Sequence, residues 1–191
     1  MSVARWALAS AITAPVALIG GWRLAAARQP SFDPARQTIS ALAATTATEP
    51  GIMTAGLAVT GVAHVVTAAG LRPVPGPARV LHAVGGTAML VVALLPNDVH
   101  RTAHRVAAGI GFGTLAVWPA LAGRRGAAGV LAPAVTVGAS VALGGTLGWF
   151  VRELQSDSDA VGRSERVLAG AEALWPLVVV VALRRPGCSA R

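Results

Sequence analysis

Six apolar runs, each long enough to cross a lipid bilayer, constrain this chain more than any other feature: about residues 5–26, 50–71, 78–96, 100–122, 127–151 and 164–183. A helix needs about 20 mainly apolar residues to span the hydrocarbon. Backbone groups have no water to bond to there, so each run must satisfy its own hydrogen bonds as a helix. The separators read as connections. "RPVPGP" at 72–77 is rich in Pro and Gly, "GRRGA" at 123–127 is a tight basic turn, and "RELQSDSDAVGRS" at 152–164 is polar throughout. The pattern predicts an all-α polytopic bundle of six transmembrane helices, one membrane domain over residues 1–191.

Composition points the same way. Only 13% of the residues are charged, against about 25% in a soluble domain. The net charge of +8 raises nucleic acid as a partner. Its distribution argues against that, because the basic residues are all Arg and lie singly or in pairs between apolar runs. Arginines at the edges of a membrane protein account for the same charge. Cys188 is the only cysteine, so neither an intrachain disulfide nor a zinc-type cysteine pair is available. Residues 6–21 followed by "LAAAR" resemble a secretory leader, but the single Arg before them and Trp22-Arg23 after them favour a retained first helix.

Six spans place both termini on one side. Arg5, Arg72, Arg79, Arg124, Arg125, Arg184, Arg185 and Arg191 then share a face that carries no acid. Arg23, Arg28, Arg36, Arg101, Arg105, Arg152, Arg163 and Arg166 share the other face with Asp33, Glu49, Asp98, Glu153, Asp157, Asp159 and Glu165. The acid-free face is the better match for anionic lipid, which places both termini in the cytoplasm and the chain in the cell membrane. Trp6 and Trp118 are expected near the inner boundary, Trp22 and Trp149 near the outer one, and Trp175 within the sixth span. The Gly-xxx-Gly pairs Gly109/Gly113 and Gly144/Gly148 suggest close helix approach. Pro15, Pro119, Pro133 and Pro176 suggest kinks.

Polar residues gather at the presumed outer side. In "SFDPARQTISALAATT", Asp33 before Pro34 is a helix start, and Ala35, Ile39, Leu42 and Thr46 recur at helical spacing. A short amphipathic helix over about 34–46 follows, either a plain interfacial helix or a lid on the bundle's mouth. "LLPNDVHRTAHRV" at 94–106 opens the fourth span, where Asn97 or Asp98 is a candidate cap. His100 and His104, four apart, share a helical face. With Asp98 they form a candidate divalent-metal set, zinc or magnesium, although a catalytic zinc needs three protein ligands plus water. The alternative is a capped helix start with interfacial histidines, and no other cofactor is indicated. Glu165 and Glu172 share a face of the sixth span, and an ionisable group as deep as Glu172 suggests function by default. Arg23, His104 or Arg105 could pair with it. His64 and His82 sit toward the inner side, facing each other or a helix carbonyl.

Four phrases together resemble a bacterial membrane family, the domain-of-unknown-function family 998, common in actinobacteria. They are "FDPARQTISALAA", "GLAVTGVAHVVTAAGLRP", "GWFVREL" and "SERVLAGAEALWPLVVVVALR". The resemblance covers almost the whole chain. It implies a six-helix integral membrane protein with a retained first helix, and carries no settled activity or catalytic residue.

Three functions remain open. The first is a membrane-embedded enzyme acting on a lipid or isoprenoid by hydrolysis or proton-initiated rearrangement, acid–base or metal-assisted. Its catalytic candidates are Glu172 as proton donor and His104 as base, with Asp98 and Glu165. Asp33, Ser40, Arg23, Trp149 and Trp175 are the candidate substrate contacts. The second is a small proton-coupled transporter, in which Glu172 relays protons. The third is a non-catalytic scaffold. The expected partners are membrane lipid or an apolar small molecule, and a second copy of the chain is possible.

Overall fold

The computed structural model describes residues 2–156 and 158–185, so Asp157, Cys188 and Arg191 lie outside the described residues. Six α-helices follow in chain order: α1 Trp6–Ala26, α2 Gly51–Gly70, α3 Gly76–Leu94, α4 Arg101–Ala122, α5 Pro133–Gln155 and α6 Val161–Arg184. Each is long and apolar enough to cross a membrane, and no strand occurs among the described residues. The chain is therefore built as a membrane-spanning bundle. Successive helices pack side by side, and α6 returns to α1, closing a ring in chain order. A hydrogen bond from Arg184 Nη1 to the Arg5 carbonyl, 3.1 Å, ties the start of α1 to the end of α6. This end is called the terminal end below.

The predicted spans match these helices within a few residues except around α5. There the chain first makes a turn with Gly126 at φ +76° and a 3₁₀ turn over Gly129–Leu131, and Pro133 then supplies the first helical position. α5 consequently begins six residues later than expected and runs on to Gln155. Pro133 thus starts a helix, whereas Pro15, Pro119 and Pro176 lie inside α1, α4 and α6. Next to Pro119, which has no N–H, the Ala120 N–H donates to the Ser140 hydroxyl of α5 at 2.8 Å. The neighbouring helix thereby satisfies a backbone group near the proline.

The close approaches fall elsewhere than the Gly-xxx-Gly pairs. A Cβ on Gly109, Gly113, Gly144 or Gly148 would meet nothing within 4 Å. Gly21 and Gly56 instead join α1 to α2, a Cβ on Gly21 falling 3.2 Å from the Gly56 Cα, and Gly61 meets Gly86 between α2 and α3. A Gly-xxx-Gly spacing shows that a helix has a flat face but not that the face meets a partner in the same chain. Trp118 also departs from expectation. It is fully buried and stacks on His82 at 4.6 Å, while Trp6 remains exposed.

Candidate functional site

A cleft lies toward the end of the bundle opposite the chain termini, beneath the connection between α1 and α2. The fold of that connection explains the cleft. Asp33 Oδ1 accepts the Ala35 N–H and Gln37 Oε1 accepts the Asp33 N–H, both at 2.8 Å, closing a single helical turn. Thr38 is extended (φ −71°, ψ 160°), which ends that turn. The chain then makes only a five-residue 3₁₀ segment, Ile39–Ala43, which buries Ile39, Leu42 and Ala43. The continuous amphipathic helix expected over 34–46 does not form. Its backbone groups are captured by α6 instead of by their own ladder.

Three residues of α6 make that capture. The Glu165 carboxylate accepts the Ile39 N–H. Arg166 Nη1 donates to the carbonyls of Pro34, Gln37 and Gly162 at 2.7, 2.8 and 2.7 Å. Its guanidinium also lies 4.8 Å from the Trp22 ring centroid and 5.3 Å from that of Phe32. The Arg163 N–H donates to the Ala35 carbonyl at 3.0 Å. Gly162 is required at this crossing, because a Cβ there would run into the carbonyl oxygens of Gln37 and Pro34.

The captured segment presents Ser40 to His104 of α4. The two ring nitrogens of His104 have different partners: Nδ1 lies 2.7 Å from the Leu95 carbonyl and Nε2 lies 3.0 Å from Ser40 Oγ. A carbonyl only accepts, so the neutral ring carries its proton on Nδ1 and Nε2 accepts the Ser40 hydroxyl. This is the relation of a nucleophile to its general base, with a backbone carbonyl orienting the base. Ser40 and Glu165 are the polar members of the cleft lining, which is otherwise apolar and includes Leu18, Leu57, Met89, Gly111 and Phe112. The cleft is open at its mouth and narrow, with about 30 Å³ of free space inside it.

The other expected site residues are dispersed. Asp98 does not cap α4. It is exposed, and its Oδ2 accepts the Thr45 hydroxyl at 2.5 Å and the Thr46 N–H at 3.3 Å, latching the α1–α2 connection to the α3–α4 connection. The Thr45 hydroxyl is the main reason its carboxyl is held below the ordinary range. His100 is exposed at the start of α4. His104 is turned onto Leu95 and Ser40, and among the described residues no group of three or more His, Cys, Asp or Glu gathers as metal ligands would. The expected set of His100, His104 and Asp98 is thus not assembled for zinc or magnesium.

Asp33 spends its carboxylate on its own turn, and Arg23 is exposed. Trp149 Nε1 donates to Glu153 at 3.1 Å, within α5. Trp175 is half-buried, and neither it, Trp149, Arg23 nor Asp33 lines the cleft. Glu172 is buried and its carboxyl has no hydrogen-bond partner among the described residues, so none of the expected partners Arg23, His104 and Arg105 reaches it. In place of the expected meeting of Asp98, His100, Glu165 and Glu172 in one pocket, Ser40 and Glu165 line one cleft, and His104, outside its lining, bonds Ser40. Arg166 was not singled out from the sequence, although a charged residue beside Glu165 in an apolar run was a usable signal.

A family described as Protein of unknown function (DUF998) matches residues 11–182. No curated protein and no solved structure matches the chain.

Proposed function

We propose, for a chain that belongs to the DUF998 family, the function of a membrane-embedded hydrolase that cleaves a lipid ester with Ser40 as nucleophile and His104 as general base. One observation carries this reading: the Ser40 hydroxyl is bonded to His104 Nε2 at the edge of an apolar cleft, and the Leu95 carbonyl fixes the ring in the competent tautomer. The apolar lining matches an acyl or isoprenoid chain in chemistry, and such a chain enters only as the narrow cleft widens; its transfer from water is favourable at roughly 25 cal/mol per Å² buried.

The chemistry follows from the geometry. Ser40 Oγ attacks the ester carbonyl carbon while its proton passes to His104 Nε2. Collapse of the tetrahedral intermediate breaks the bond to the leaving oxygen, which takes the proton back from Nε2. Water, deprotonated by the same nitrogen, then releases the acid and restores Ser40. Glu165 acts as a positioning residue, because its bond to the Ile39 N–H holds the backbone immediately before Ser40. With both termini cytoplasmic, as the acid-free arginine face suggests, the cleft faces the opposite leaflet.

The test is labelling of the detergent-solubilised protein with a lipid-tailed fluorophosphonate, read by mass spectrometry. The expected adduct is on Ser40 and is lost in both Ser40→Ala and His104→Ala. An unlabelled wild-type protein that also leaves phospholipid vesicles intact would reject the reading.

A further inference from the structure

Four buried side chains that the cleft chemistry does not use lie between the cleft and the terminal end of the bundle. His64, His82, Trp118 and Glu172 each stand seven residues from a residue lining the cleft on the same helix: Leu57, Met89, Gly111 and Glu165 respectively. Seven residues are two helical turns, about 10 Å. On all four helices the step runs away from the cleft toward the terminal end. Counted from the terminal ends of their helices, His64, His82 and Trp118 stand six, six and four residues in, and His82 both bonds His64 and stacks on Trp118. Glu172 stands twelve residues in on α6, nearer the cleft, and each of the four is no more than 1% exposed.

The set is polar and incompletely paired. His64 Nδ1 and His82 Nε2 are hydrogen-bonded at 2.9 Å. Their outward nitrogens, His64 Nε2 and His82 Nδ1, have no partner among the described residues, and neither do Trp118 Nε1 and both oxygens of Glu172. Buried polar atoms in native proteins are nearly always bonded, to protein or to ordered water. Ionisable groups at this depth in a membrane are costly and mark sites of function. The orphaned set is also complementary. Trp118 offers a donor, Glu172 offers oxygens, and the histidine pair always offers one N–H at one end and one lone pair at the other. Water, which donates and accepts, matches each of these orphaned groups in chemistry.

We propose that these groups, joined by water, are a proton-transfer site and that the protein carries protons through the bundle along them. A proton arriving at His64 Nε2 makes that ring a cation, which passes its Nδ1 proton to His82 Nε2. His82 then releases its own proton from Nδ1, so one proton enters and one leaves. Both rings end in the opposite tautomer, and they reset when each turns over or when a proton passes the other way. Glu172 takes up and gives back protons through the same water. Toward one end the path reaches the cleft that Glu165 lines. Toward the other it reaches Thr67, one turn beyond His64, whose hydroxyl lies 2.8 Å from that of Ser10.

The test uses the purified full chain in phosphatidylcholine–phosphatidylglycerol liposomes, with a potassium gradient, valinomycin and a trapped pH dye. Wild-type protein is expected to carry protons well above protein-free vesicles. Glu172→Gln and His82→Gln, each monodisperse and of native helix content, are expected to abolish that flux, and His64→Gln is a third variant should either fail to fold. Wild-type vesicles no leakier than protein-free ones would overturn the proposal. So would a flux unchanged in the folded variants. Neither result bears on Ser40 labelling, which tests the hydrolase reading separately.

Discussion

Gly61 of α2 and Gly86 of α3 sit so close that a Cβ on either would lie 2.7 Å from the other's carbonyl oxygen. This contact sets the approach of two helices that line the cleft and hold the histidine pair. Gly61→Ala should cost about 1–3 kcal/mol by overpacking, and Gly61→Leu should prevent folding. Gly109→Ala, where a Cβ meets nothing, should leave stability unchanged or slightly raised. Thermal unfolding in detergent followed by size-exclusion recovery distinguishes the two sites, and equal tolerance at both would show that α2 and α3 do not meet this way.

The Asp98–Thr45 latch predicts a dependence on pH. The Thr45 hydroxyl, aided by backbone hydrogen bonds from Thr45 and Thr46, keeps the Asp98 carboxyl below its ordinary range. The folded form thus holds its proton less tightly than the unfolded chain does. The contact contributes fully above the unfolded Asp pKa of about 3.9 and fades as pH falls through the lower folded value. Hydrogen exchange over residues 44–50, corrected for intrinsic rate, should therefore accelerate in acid below that point. Asp98→Ala should show the faster exchange already at neutral pH.

Arg166 should be more important than its position suggests. Its Nη1 bonds three carbonyls, and hydrogen bonds to a charged donor contribute about 1.5–3 kcal/mol. Arg166→Lys keeps the charge but loses the flat guanidinium that lies over the Trp22 and Phe32 rings. The expected result is faster hydrogen exchange over residues 33–43 with unchanged protection in α2 and α3. Uniform loss of protection would instead mark general unfolding.

Glu165 separates positioning from chemistry. Glu165→Gln retains an oxygen to accept the Ile39 N–H, whereas Glu165→Ala leaves that buried donor unbonded at a cost of about 1–3 kcal/mol. Ser40 labelling should persist in the Gln variant and fall sharply in the Ala variant. Loss in both would assign the carboxylate a direct chemical role.

Much of the bundle was legible in the sequence because a bilayer leaves a helix few choices of length. The six spans follow from run length and backbone satisfaction, and the pairing of His64 with His82 follows from their similar depth on neighbouring antiparallel helices. The candidate site was only partly legible. Ser40, His104 and Glu165 were each suspected, but their convergence was not. Ser40 and His104 are 64 residues apart, and whether they meet depends on a connection whose helical periodicity misled. Residues 34–46 carry an amphipathic pattern, yet α6 offers the Arg166 guanidinium and the Glu165 carboxylate to that backbone, and those charged partners outcompete a local ladder.

The apolar runs by themselves determined six membrane-spanning helices and the end of the bundle at which most of the charge collects. Local hydropathy is sufficient for that, since lipid acts on each segment separately. The tertiary structure alone decided which polar groups share a pocket, which glycines face a neighbour, and which buried acids and histidines are left without partners. Those outcomes depend on the rotation of each helix about its axis, which is settled by close packing among all six at once and is written in no single segment.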